Sequence, residues 1–268
     1  MKGPGILMFN QKYETMKKTA IFLICLILSI VAIGQSETQN QRVDPEDAGF
    51  TPPQFTGIEN RASILETDNS LLVKNYLLNN LICPSKSAKC WKEGTEIVQF
   101  TVSPSGNVSN FKVITSVSSE IDHEFIRVLE TTDGMWKPGY SNGEPTAMKN
   151  EVSMLFKVGD YDDSEIVNYF TEKASNYFTK GSLNLLVKNK PEKALRLYSK
   201  AVLYRPNDKG LLLLRGMCSY ELGDTESAQR DWDRIATLGG IEAGKFDNDL
   251  AEMKGYTKMT NILAETVD

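Results

Sequence analysis

The chain has 268 residues, of which 41% are hydrophobic and 24% charged, and its formal net charge is −5. That length suits two small domains once a leader is removed. The acidic balance leaves no basic surplus to neutralise phosphates, which argues against nucleic acid as a partner.

Residues 1–34 read as an export signal. A basic start, Met16-Lys17-Lys18, precedes an apolar run over residues 20–33 that only Ser29 interrupts, and Gly34-Gln35 offers a cleavage point. The 14 residues of the run fall short of the ~20 that a helix needs to cross a bilayer. The competing reading keeps the run as an inner-membrane anchor. Residues 1–15 fit no signal anatomy, so Met16 is an alternative start. Residues 35–57 read as a linker, rich in Gln, Asn, Asp and Glu, with Pro45, Pro52 and Pro53 and no periodicity.

A helix is expected over residues 70–81, with Leu72, Tyr76 and Leu77 on one face and Leu81 continuing it. Cys83 and Cys90 follow, seven positions apart. In an exported chain such a pair favours a disulfide; two reduced, buried thiols are the alternative. Seven residues of continuous α-helix rise about 10.5 Å, beyond the ~7 Å between Cα atoms that a bridge tolerates. Bridging therefore requires any helix after Pro84 to end near Ala88.

Residues 93–158 organise the rest of the chain. Val98, Phe100 and Val102 alternate with polar residues, Glu96, Gln99 and Thr101 being the polar members, which is the pattern of a half-buried strand. Ser103-Pro104-Ser105-Gly106-Asn107 is a turn, and a second β-rich run over 108–116 completes a hairpin. Ile121, Phe125, Val128 and Leu129 form the apolar stripe of a short helix. Val152, Met154, Phe156 and Val158 alternate as a third strand, with Trp136 and Pro138 between helix and strand. The order is β-β-α-β. The expected core is Val98, Phe100, Val102, Phe125, Leu129, Trp136, Met154 and Phe156.

That run resembles the C-terminal domain of the TonB family of periplasmic energy transducers. The resemblance rests on Glu93-Gly94 before a strand, the hairpin from Phe100-Thr101-Val102 to Gly106-Asn107-Val108, and Val113 to Ser116. Trp136-Lys137-Pro138-Gly139, Asn142-Gly143 and the closing Leu155-Phe156-Lys157-Val158 complete it. Cys83-Pro84 stands where family members usually carry Tyr-Pro.

After an acidic connector, Gly159-Asp160-Tyr161-Asp162-Asp163, the pattern is helical from Ser164. Asn189-Lys190-Pro191-Glu192-Lys193-Ala194 and Gly223-Asp224-Thr225-Glu226-Ser227-Ala228 stand 34 residues apart, and the spacing of Ala194 to Tyr198 recurs as Ala228 to Trp232. This resembles the tetratricopeptide (TPR) repeat, with Gly216 and Ser182 as the small residues of first helices. One repeat is expected over 174–207 and a second over 208–241, with a capping helix in 245–263. Two repeats are few, which implies docking on another surface. The fold class expected is α+β: a small TonB-C-like domain over 58–158, then an all-α repeat domain over 164–268.

Catalytic chemistry finds little footing. His123-Glu124-Phe125-Ile126-Arg127 begins like a metalloprotease motif but has no second histidine, and His123 is the only one in the chain. No serine sits in a Gly-x-Ser-x-Gly elbow, and no phosphate loop or dinucleotide fingerprint occurs. Asp160, Asp162 and Asp163 lack the spacing and closing Glu of a calcium loop. No enzyme, cofactor or metal is expected. The TonB resemblance implies a protein partner, such as an outer-membrane receptor, whose extended segment adds to the open edge of the last strand, 151–158. Glu151, Ser153, Leu155 and Lys157 lie opposite the core set there. The expectation is a periplasmic protein-interaction protein with a TPR scaffold. The alternative is a membrane-anchored energy transducer for outer-membrane transport, against which the short linker argues, since it reaches only ~3.3–3.6 Å per residue.

Overall fold

A computed structural model describes residues 49–57, 69–82, 92–157 and 162–241. The leader, most of the linker, Cys83, Cys90, Val158 and the tail beyond 241 lie outside the described residues. The chain divides into two compact units, whose described parts fall within Thr38–Ile166 and Val167–Asp268.

The first unit is built on a three-stranded antiparallel sheet. Its strands are β3 (Gly94–Val102), β4 (Val108–Thr115) and β8 (Met148–Phe156), in the order β4-β3-β8. Before them come β1 (Phe50–Thr51), β2 (Gln54–Phe55) and helix α1 (Asn69–Asn80). Helix α2 (Ser119–Glu130) follows β4, and β5 (Trp136–Lys137), β6 (Gly139–Ser141) and β7 (Glu144–Thr146) lead into β8.

Local chemistry accounts for these boundaries. The β3–β4 turn closes through Ser103 N–H to Asn107 O at 2.8 Å and Gly106 N–H to Ser103 O at 2.9 Å. Gly106 has φ +82°, and a Cβ there would overlap the Trp136 carbonyl oxygen, so the position requires glycine on two grounds. The Ser118 hydroxyl caps α2 by accepting from Ile121 N–H, and Glu120 and Asp122 place negative charge in its first turn. Asn142 and Gly143, at φ 52° and 81°, form the two-residue turn of the β6–β7 hairpin. Positive φ at both central residues is the geometry that suits the twist of a two-residue hairpin. The Asn-Gly pair carried that signal, yet no hairpin was expected there.

The core contains Val98, Phe100, Val102, Phe125, Val128, Leu129, Trp136, Val152 and Met154, with Phe156 partly buried against it. The expected set is therefore packed together. Trp136 anchors it: its ring lies 5.3 Å from Phe100 and 5.1 Å from Phe55, and its indole N–H donates to Thr132 Oγ1 at 3.0 Å. Three expectations need correction. The end of the presumed linker is structured: β1 pairs with β6, β2 pairs with β5, and Phe55 is buried on Trp136. An isolated apolar residue after a proline pair carries no period, so only the long-range pairing reveals it. The last strand runs Met148–Phe156, beginning earlier than 151, because β3 pairs with it along its whole length. Glu96, grouped with the polar face of β3, is fully buried. It has the same parity as Val98 and Phe100 and so shares their face.

The second unit is helical: α3 (Asp163–Ser182), whose first turn precedes the division at Val167, is continued by a π-helical turn (Leu183–Val187), and α4 (Pro191–Tyr204), α5 (Lys209–Glu221) and α6 (Thr225–Thr237) follow. Asp162 accepts from Glu165 N–H at 2.8 Å at the start of α3, so this member of the acidic connector serves as a helix cap. Asp208 and Asp224 cap α5 and α6 in the same way. Tyr198 packs over Gly181, with its hydroxyl 3.1 Å from Ser182 Oγ, and Trp232 packs over Gly216. Each aromatic ring fills the space a side chain would need, so the small residue and the ring are one packing device used twice. Cys218 is buried and free. The π turn was not legible in the helical period.

Candidate partner-binding edge

The site grows from the order of the sheet. β3 is central, so β8 has β3 on one side only, and among the described residues no strand pairs with its other side. In an antiparallel pair, successive N–H groups alternate toward and away from the partner strand. Glu151 fixes the phase: its N–H is turned onto the Asn150 side-chain oxygen at 3.1 Å. By alternation the N–H groups of Ser153 and Leu155 also face away from β3.

Of the four residues expected to form the edge, Glu151, Ser153 and Leu155 lie within β8, and Lys157 directly follows it. The Glu151 carboxylate also accepts from Gln99 Nε2 at 2.9 Å, across the sheet face opposite the core. Leu155 and Lys157 border a groove of about 250 Å³ together with Leu78, Leu81 and Ile82 after and within α1, and Ile121 and Glu124 of α2. The groove was not anticipated. Its signal was present as the adjacent apolar pairs Leu77-Leu78 and Leu81-Ile82, which exceed what one helical stripe can bury. The pairing of Cys83 with Cys90 lies outside the described residues.

A polar clamp holds the groove walls together. Glu124 Oε1 accepts from Ile82 N–H at 2.7 Å, Oε2 accepts from Arg127 Nε at 2.8 Å, and Arg127 Nη2 donates to Asn80 O at 3.0 Å. Hydrogen bonding from Arg127 leads the effects that hold the Glu124 carboxyl below its ordinary pKa. The clamp ties the C-terminal end of α1 to the middle of α2. His123 is exposed on the same helix, with Nδ1 2.6 Å from Ser119 O.

Glu96, in register with Met154 of β8, is the unusual charge of the unit. One oxygen accepts from Val117 N–H at 2.8 Å; the other is buried beside Asp122. Burial, reinforced by the Asp122 charge, pushes its pKa up from 4.5 to about 8.

Residues 81–158 match the family model described as the Gram-negative bacterial TonB protein C-terminal. This stretch of the chain is thus similar to that C-terminal domain. No curated protein and no solved structure matches the chain.

Proposed function

We propose that the protein is a non-enzymatic, periplasmic interaction protein that holds an extended segment of an envelope partner by strand addition along β8. The observation that carries this reading is the position of β8 at the end of the sheet, with the Ser153 and Leu155 N–H groups directed outward. Backbone hydrogen bonds along that edge supply affinity with little sequence preference. The helical unit is read as two TPR-type repeats that offer a second protein-binding surface. The 34-residue offset and the twice-used packing of an aromatic ring on a small residue support it. Export is supported by the basic start and the short apolar run.

The test is Ser153→Pro. Proline removes an outward N–H and is tolerated on sheet edges, so the variant keeps its fold and loses its partners in pull-downs from an envelope extract. Equal recovery of partners by the folded variant would exclude edge pairing and shift the weight to the helical unit. Mass spectrometry of the mature N-terminus tests export: Gln35, or its pyroglutamate, is expected first. Recovery of residues 16–33 on a membrane-bound protein would favour the anchored transducer instead.

A further inference from the structure

Resting on strand addition along β8, we propose that the partner segment carries bulky apolar residues at alternate positions, one of which enters the groove between α1, α2 and β8. A strand added to β8 lies about 4.8 Å further out, and every second side chain of it points to the helix layer. There it meets Leu78 and Ile82, which are 63% and 68% exposed. Single exposed aliphatic residues are ordinary on a surface. These two border the same groove as Leu81, Ile121 and Leu155, against an open strand edge. At about 250 Å³ the groove has room for one large side chain.

The chemistry of the walls selects what enters. Both Glu124 oxygens are already engaged, by Ile82 N–H and by Arg127. The surfaces left for contact are mainly the apolar walls of Leu78, Leu81, Ile82, Ile121, Met154 and Phe156. A polar side chain placed there loses water without gaining a partner, whereas an aliphatic or aromatic one removes apolar surface from water on both sides. Strand pairing thus supplies affinity along the backbone, and the groove selects the partner's residue type and register.

The experiment is an NMR titration of the full mature chain with two synthetic probes. One is a ten-residue peptide of alternating Val and Thr with a Lys at each end; the other has Ser in place of every Val. The wild type is expected to bind the Val peptide at least tenfold more tightly. In the double variant Leu78→Gln, Ile82→Gln that preference disappears, while the unperturbed β8 amide signals show the sheet intact. Ser153→Pro abolishes binding of both peptides. Equal affinity of the wild type for the two peptides, with Ser153→Pro still abolishing both, overturns the groove and leaves strand addition standing. Binding that survives Ser153→Pro overturns strand addition itself. A peptide-free dimer that dissociates on Ile82→Gln assigns this face to a second copy and overturns the proposal.

Discussion

At Glu96 a carboxyl group sits in the core, with one oxygen on Val117 N–H and the other beside Asp122. Its folded pKa of about 8 lies above its ordinary 4.5. Between those values the folded protein holds a proton that the unfolded chain has released, so stability falls as pH rises through that window. Below 4.5 both states are protonated and above about 8 both are ionised, so this group adds no slope there. Glu96→Gln keeps the acceptor for Val117 and presents an N–H to Asp122 without titrating. Urea denaturation of the variant is expected to give a level midpoint from pH 5 to 8, and a higher midpoint than the wild type at pH 9. An equal decline in both proteins would assign the slope to another group. Phe100, fully buried against Trp136, sets the packing scale: Phe100→Ala is expected to cost about 3–5 kcal/mol. Gly106→Ala is expected to cost more than about 1 kcal/mol, since alanine at positive φ is strained and this one also meets the Trp136 carbonyl.

Among the elements, α2 is specified almost wholly by its own residues. Ser118 caps it, acidic side chains open it, and Ile121, Phe125, Val128 and Leu129 face the core. Ser118→Ala is expected to lower stability by about 1 kcal/mol, read as a shift in thermal midpoint. In the helical unit the constraint runs between elements instead. Gly216 on α5 lies under Trp232 on α6, where any Cβ collides with the indole. Gly216→Val should therefore destabilise by about 1–3 kcal/mol through overpacking. A melt of this variant indistinguishable from the wild type would mean that α5 and α6 can separate at no cost. Helix α1 shows the limit of stripe reading: Leu77 is fully buried and Leu72, Tyr76 and Leu81 partly buried, as expected, but Val73 joins Leu77 on the buried face, and Leu78 is left on the surface.

For the whole molecule, the thiols report on compartment and fold together. Cys218 is fully buried, and burial pushes its thiol up to about 12, so it should resist labelling in the native protein. If export brings Cys83 and Cys90 together as a disulfide, unfolding the mature chain without reductant releases one reactive thiol. Three thiols under those conditions would refute the bridge.

Much of this architecture is legible in the sequence because it depends on local period. Alternation at 98–102 and 152–156, the stripe at 121–129 and the 34-residue offset between Ala194 and Ala228 each record which side of an element meets a core. The order β4-β3-β8 is not local information. Alternation says that a strand has an inner face, but not which neighbour it pairs with; the place of the last strand at the edge was implied only by family resemblance. The docking of Phe55 on Trp136, the burial of Glu96 beside Asp122 and the groove beside Leu155 likewise join residues far apart in the chain. Those environments exist only once distant segments are packed together. The tertiary structure alone therefore decided the charge state of Glu96 and the surface that β8 offers to a partner.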